Sequence, residues 1–274
     1  MMELKIITFN LYNYRGNINK FTTEYLHKYN PHIICTQEDH YNNSNPFGDS
    51  YTLLTKNGIN FTSETVGVYY NNQLLKKNDI TNITNIFTEP KNIGCVRRNF
   101  IIFTVKGITI CNVHLEGGRN VDGMILYDFD NYMSYKMEIF NYLINYEKVD
   151  IICGDFNSVY CHNIDNVNMC MMNQYNYFNN IKYDLNANDR INIKKWNINP
   201  HIYLMGNNYS YCEPTDSNIT TSRGESRVDF FYMTNKLYSK VKIDCNIIHL
   251  GEIDKNYLFG GISDHQPVFL SVKM

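Results

Sequence analysis

The sequence predicts a single α/β domain spanning residues 1–274. Three observations carry that reading. The chain opens strand–helix–strand, its middle holds apolar runs joined by a tight glycine turn, and its later part alternates a long helical stripe with short strand-like runs. Strands and helices interleaved in this way fold as layers about a shared core.

Residues 4–9 form an apolar run of strand length, and Ile18, Phe21, Tyr25 and Tyr29 then recur at the three- and four-residue steps of one helix face. Pro31 closes that helix, because its ring pushes the preceding residue out of the helical region. Ile33, Ile34 and Cys35 form a second strand, so the chain begins with two neighbouring strands joined by a crossover helix. Residues 65–70 are β-rich, and the runs 100–105 and 108–115 flank Lys106-Gly107 as a hairpin. Leu126, Phe129, Met133, Met137, Phe140 and Ile144 keep helical spacing and mark a core-facing stripe rather than a cofactor box.

Residues 149–153 read as a strand that breaks at Gly154. From 159 to 218 the pattern is poor and Asn-rich, so short helices and long loops are expected there, in a position to shape substrate choice. Residues 227–234 alternate strictly, with Val228, Phe230 and Tyr232 on one face and Asp229, Phe231 and Met233 on the other. Strands over 241–250 and 267–272 complete the chain, with no repeat and no linker.

Composition bounds the function classes. At 43% hydrophobic and 19% charged the chain is of the soluble globular class. A formal charge of −2 supplies no global field for nucleic acid, although a local basic groove suffices for many nucleic-acid enzymes. The abundant Asn, Ile, Tyr and Lys reflect codon bias, and sequons such as that at Asn60 arise by chance. The cysteines form no CxxC pair. Cys35, Cys111 and Cys153 each end an apolar run, which suits reduced, buried thiols in an intracellular protein. The N-terminal segment lacks a basic stretch followed by a long apolar one, so neither a signal peptide nor a membrane span is expected.

Polar residues recur at the ends of the expected strands: Asn10, Glu38, His114, Asp155 with Asn157, Asp229, and Asp264 with His265. In α/β folds strand ends converge on one edge where ligands bind. Carboxylates, amides and imidazoles gathered there hold a hard cation by oxygen and move protons, as metal-assisted phosphoryl chemistry requires. Taken singly, each has a plainer reading. GDFN is also an ordinary turn and SDH an ordinary cap. Asp229 shares a strand face with Phe231 and Met233, so if that face is buried it needs a partner, and His265 is the natural one. Arg97, Arg98 and Arg119 are candidate phosphate clamps beside the plainer reading of solvated surface arginines. Arg119 is the best placed, closely following His114.

The order TFN (Thr8, Phe9, Asn10), TQED (36–39), NVHLEGGR (112–119), GDFN (154–157), SRVDFF (226–231) and SDH (263–265) resembles the endonuclease/exonuclease/phosphatase superfamily, over nearly the whole chain. The resemblance implies a deoxyribonuclease I-like four-layer sandwich, with two mostly antiparallel or mixed β-sheets flanked by helices. It implies Glu38 as the principal metal ligand, helped by Asn10 and Asp264, with magnesium or alternatively manganese as the ion. Asp155 would orient or deprotonate the attacking water, and Asn157 would donate to the phosphorus centre. His265 backed by Asp229 would sit on the phosphate, and His114 would be a second donor there or help protonate the leaving group.

Among the branches, HLEGGR is similar to the pattern of tyrosyl-DNA phosphodiesterases, and the Tyr-containing loop 11–19 offers a substrate wall. The Tyr-x-Pro-Asn element of abasic-site endonucleases is missing, and TSRGESRVDFF departs from the inositol 5-phosphatase pattern. The resemblance therefore implies an intracellular DNA-repair type of phosphodiesterase. Its expected substrate is nucleic acid or a phospho-DNA adduct, with no obligate protein partner. The alternatives are an inositol phosphate or phospholipid headgroup as substrate, or an inactive binding module of the same fold.

Overall fold

The computed structural model describes residues 3–39, 45–57, 65–84, 100–115, 120–121, 124–125, 129–145, 147–160, 187–216, 220–222, 226–256 and 258–274. Alternation decides its layering. In β1 (Glu3–Asn10) Leu4 and Ile6 face one side and Ile7 and Phe9 the other, and all four are fully buried. A strand that is apolar on both faces needs cover on both.

β1 pairs in parallel with β2 (Ile33–Gln37). With β3 (Tyr51–Asn57), β4 (Val66–Asn71), β13 (Lys242–Ile247) and β14 (Val268–Lys273) it makes a six-stranded sheet, ordered β13-β14-β1-β2-β4-β3. The second sheet is built from β5 (Ile80–Asn82), β6 (Phe100–Val105), β7 (Ile108–His114), β10 (Ile151–Asp155), β11 (Tyr209–Tyr211) and β12 (Asp229–Thr234). Its order is β11-β12-β10-β7-β6-β5, and a small hairpin of β8 (Asn120–Val121) and β9 (Met124–Ile125) stands outside both sheets. Each sheet contains one parallel step, β1/β2 in the first and β7/β10 in the second, and its other steps are antiparallel.

Three apolar clusters hold the layers. Leu4, Ile6, Cys35, Ile110, Cys153 and Phe231 fill the space between the sheets. On the outside of the first sheet, Ile7 and Phe9 pack on Ile18, Phe21 and Leu26 of a helix over 18–29. On the outside of the second, Cys111 and Ile152 pack on Phe140 and Leu143 of the helix Phe129–Asn145 and on Leu204 of the helix Ala187–Gly206. The result is helix, sheet, sheet, helix: the four-layer α/β sandwich that the resemblance implies.

The first helix starts where the Asn17 side chain accepts from the Lys20 N–H, and it ends at Asn30 in a left-handed conformation just before Pro31. Two expectations change. The strand expected to break at Gly154 runs on to Asp155, because Gly154 marks a close approach: a Cβ there would lie 1.9 Å from the Val113 carbonyl oxygen. The stretch 159–218, expected to hold only short helices and loops, contains a 20-residue helix and then β11. Pro200 inside that helix hides it from a periodicity reading, since proline removes a backbone donor and crowds the preceding turn. Residues 161–186 of that stretch lie outside the described residues. Among the described residues no helix is long and apolar enough to cross a membrane.

Candidate active site

The same alternation that fills the inter-sheet core builds the site. On the inward face of β1, Leu4 and Ile6 give way to Thr8 and Asn10; on β2, Ile33 and Cys35 give way to Gln37. On β7, Ile108 and Ile110 lead to Asn112 and His114, and on β10 Ile151 and Cys153 lead to Asp155. β12 runs the other way, so its first residue, Asp229, arrives at the same end with Phe231 and Met233 below it.

A buried polar layer ties the sheets together under this end. The Gln37 amide donates to Thr8 Oγ1 (3.0 Å) and Asn112 Oδ1 (2.6 Å), while Asn112 Nδ2 donates to the carbonyls of Thr36 and Gly67, each at 3.0 Å. Hydrogen bonds between buried polar groups of the two sheets fix the register between the packed layers.

Above that layer the catalytic candidates meet. Asp155 stands opposite His114 on one neighbouring strand and opposite Asp229 on the other. Its Oδ2 accepts from Asn10 Nδ2 (3.1 Å) and lies 3.7 Å from His114 Nε2, and its Oδ1 accepts the Asn157 backbone N–H (2.8 Å). Asn157 has a positive φ of 45° and donates its side-chain amide to the Leu115 carbonyl (2.9 Å). Asn10 Nδ2 also reaches Glu38 Oε1 at 3.5 Å, so one amide bridges carboxylates from the two sheets, while Asn10 Oδ1 accepts from the Tyr12 N–H.

Glu38 follows β2 with a φ of 51°, a left-handed backbone that costs a bulky residue about 1–3 kcal/mol unless its surroundings enforce it. They do. Asn13 donates to Glu38 Oε2 at 2.8 Å. The next residue, Asp39, is fully buried and accepts from Thr36 Oγ1 (2.7 Å), Lys56 Nζ (2.7 Å), Tyr69 Oη (2.8 Å) and Tyr14 Oη. Tyr12, Asn13 and Tyr14 are themselves left-handed, so a strained turn is fastened to Glu38 and Asp39 together. Burial first, and then the Asp39 charge, raise the pKa of both Tyr14 and Tyr69, which keeps them as donors.

His265 donates from Nδ1 to Asp229 Oδ2 at 2.9 Å, so Asp229 finds the partner its burial requires. Asp264, also buried, adds its charge to that of Asp229 around the imidazole. Burial works against the His265 cation, but the charge and hydrogen bond of Asp229 more than offset it and hold the imidazole well above its ordinary 6.5. Burial pushes Asp229 up to about 6, against the pull of the His265 charge.

A pKa raised on folding means that pairing at His265 contributes fully below 6.5 and is lost as pH rises through the higher folded value; the raised Asp229 acts in the same direction. The expected NMR titration of the His265 ring has a midpoint above 6.5, and Asp229→Asn lowers it. A wild-type midpoint at or below 6.5 would contradict the pairing.

The donor set suits a hard divalent cation. Carboxylate oxygens of Asp155 and Asp229 lie within 4.8 Å of each other beside His265, and Asp229 Oδ1 is buried with no hydrogen-bond partner among the described residues. Carboxylate oxygens of Glu38 and Asp155 are linked through the Asn10 amide. The structure thus brings together Asn10, Glu38, His114, Asp155, Asn157, Asp229, Asp264 and His265. Arg97, Arg98 and Arg119 lie outside the described residues. Sequence reading did not single out Asn13, Lys136 or His201, nor any role for Asp39. Asp39 alone left a signal, a second acidic residue directly after Glu38 at a strand end.

A family profile described as the Endonuclease/Exonuclease/phosphatase family matches residues 7–265. Among solved structures, the chain is similar to an AP endonuclease from Archaeoglobus fulgidus, with 19% identity, a TM-score of 0.59, and coverage of 97% of this chain and 98% of that one. It is also similar to the 3′ phosphatase NExo from Neisseria bound to product DNA hairpin, with 15% identity, a TM-score of 0.62, and coverage of 99% and 100%. A third likeness is to truncated TDP2 of Caenorhabditis elegans, with 11% identity, a TM-score of 0.58, and coverage of 100% and 98%. At these identities the structures speak to the fold. No curated protein matches the sequence.

Proposed function

The chain belongs to the Endonuclease/Exonuclease/phosphatase family, whose chemistry is hydrolysis of phosphoester bonds, and from that premise we propose a magnesium-dependent phosphodiesterase acting on nucleic acid or a phospho-DNA adduct. The observation that carries the proposal is the row His114, Asp155, Asp229 and His265, joined across to Glu38 by the Asn10 amide.

In this reading Asp155 orients the attacking water and takes up its proton. Its two oxygens are held by the Asn10 amide and the Asn157 N–H, so the carboxylate keeps one orientation throughout. The Asn157 amide gives one hydrogen to the Leu115 carbonyl, which leaves the other for a phosphate oxygen. His265 uses Nδ1 on Asp229, so its Nε2 is the donor available to phosphate, and its raised pKa keeps that donor charged near neutrality. His114 is the second donor. Preorganised charge of this kind carries most of the acceleration in phosphoryl transfer. Glu38, with Asp264 as a further oxygen donor, would hold magnesium or manganese while the Asn10 amide holds the Glu38 and Asp155 carboxylates, and when bound the ion neutralises charge on the phosphate.

Nucleic acid is favoured as the substrate because one similar structure is of a DNA-bound phosphatase and others are of an AP endonuclease and of TDP2. DNA repair is the matching role. The test is a panel of abasic DNA, 5′-tyrosyl DNA, RNA, inositol phosphates and sphingomyelin, with magnesium and with chelator. Chelator-sensitive cleavage of a nucleic acid is expected. Cleavage of only an inositol phosphate or lipid would move the substrate assignment, and no chelator-sensitive hydrolysis of any of them would end the enzyme reading.

A further inference from the structure

Behind the Asp155–Asn157 turn lies a buried cation that the chemistry above does not use. Lys136, on the helix Phe129–Asn145, is fully buried. Its ammonium donates to the carbonyls of Phe156 and Asn157, each at 3.0 Å, and to Ser158 Oγ at 2.7 Å. All three acceptors belong to consecutive residues directly after Asp155. Burying an ammonium is costly unless its donors are satisfied, and an apolar side chain would fill the same space without that cost.

A second buried group meets the same turn. The His201 ring stacks on Phe156 (5.8 Å, 15°) and Tyr160 (5.0 Å, 21°), with Nδ1 2.8 Å from Tyr232 Oη and Nε2 3.3 Å from the Ser158 carbonyl. A carbonyl only accepts, so the proton sits on Nε2 and Nδ1 accepts from the tyrosine. Burial lowers the pKa of His201 to about 3, which keeps the ring neutral.

We propose that Lys136 is a positioning residue for phosphoester hydrolysis: by gripping the 156–158 turn from behind, it holds Asn157 left-handed and so fixes both the Asn157 amide and the Asp155 carboxylate toward the substrate. The link is geometric. The Asn157 carbonyl is held by Lys136, its backbone N–H by Asp155 Oδ1, and its side chain by the Leu115 carbonyl. The Phe156 carbonyl shares its peptide plane with the Asn157 N–H and the Asn157 carbonyl lies in the next plane, so releasing both from Lys136 lets the planes on either side of Asn157 turn and misaligns its N–H and side-chain contacts. His201 supports the far end of the same turn through Ser158. This inference rests on the hydrolase reading above.

The experiment compares Lys136→Met, Lys136→Arg and Ser158→Ala with wild type, using bis(p-nitrophenyl) phosphate and magnesium. In parallel, the Asn157 side-chain amide is followed by NMR, its signal assigned by its loss in Asn157→Asp. Lys136→Met is expected to lower kcat roughly a hundredfold with KM within about twofold, the scale of a misplaced reacting group, and to shift or broaden the Asn157 amide. Lys136→Arg is expected to recover most of both, because a guanidinium can still donate to the turn. A folded Lys136→Met protein with wild-type kcat and an unmoved Asn157 amide would overturn the proposal.

Should Lys136→Met fail to fold, Ser158→Ala decides the matter. It removes one acceptor and is expected to lower kcat severalfold at unchanged KM with a shifted amide; unchanged kcat and an unmoved amide overturn the proposal. If wild type itself hydrolyses no phosphoester, the hydrolase reading falls, while the amide signals in the variants still decide whether Lys136 positions Asn157.

Discussion

Asp155→Asn is expected to lower kcat on any substrate of this enzyme by roughly a thousandfold, about 4 kcal/mol of transition-state stabilisation. The reason is visible in the hydrogen bonds. Asp155 accepts at both oxygens, from the Asn157 N–H and from Asn10 Nδ2. An amide has a single oxygen, so whichever way the new asparagine turns, its NH2 faces one of these donors. The substitution therefore removes the proposed proton acceptor and also turns one of the two contacts that fix its orientation into donor against donor. Asp155 is buried, so a donor left facing a donor there is costly. Steady-state kinetics on purified, folded protein check this, and a loss smaller than about tenfold would remove Asp155 from the role of base.

Gly154→Ala is expected to destabilise the fold by at least about 4 kcal/mol, a large fraction of the roughly 5–15 kcal/mol that holds a typical domain. Two costs coincide at this position. Its φ of +137° is one that side-chain-bearing residues rarely adopt, and the added Cβ would meet the Val113 carbonyl oxygen at 1.9 Å and the Val113 backbone nitrogen at 2.9 Å. Those atoms belong to β7, which is paired on its other side with β6 and packed between two apolar clusters, so it has nowhere to move. Because β10 and β7 present Asp155 and His114 side by side, any residual folded protein should also lose activity. Denaturation monitored by circular dichroism measures the effect, and a melting temperature within a few degrees of wild type would show that the strands separate more easily than this packing implies.

Both predictions concern the end of β10, and its surroundings illustrate what was legible in advance. Asn10, Glu38, His114, Asp155 and Asp229 stood out because polar residues at the ends of apolar runs are costly unless they are used, and alternation put Asp229 on the same face as Phe231 and Met233. The demand that a buried Asp229 find a partner led directly to His265, and the two lie 2.9 Å apart. The strand–helix–strand opening and the hairpin about Lys106-Gly107 were equally readable, since short-range periodicity and turn chemistry suffice for them.

Other features were not legible, for reasons of distance and context. β3, β5 and β11 carry weak local signals and form because a paired neighbour supplies their partners. The helix Ala187–Gly206 was concealed by Pro200. Gly154 looked like a break because composition cannot distinguish a turn glycine from one that lets two backbones touch. Lys136 was one lysine on an apolar helix stripe, and nothing local announces that its ammonium crosses to a turn twenty residues onward.

The sequence by itself determined the layered α/β fold, the chemical types gathered at the strand ends and the pairing of Asp229 with His265, because periodicity and the cost of burying charge are local rules. Only the tertiary structure decided which donors hold each carboxylate: Asn10 between Glu38 and Asp155, the donors converging on Asp39, and Lys136 behind Asn157. Hydrogen-bond geometry depends on how two sheets and their helices are set against one another, and that setting is a property of the packed whole rather than of any single segment.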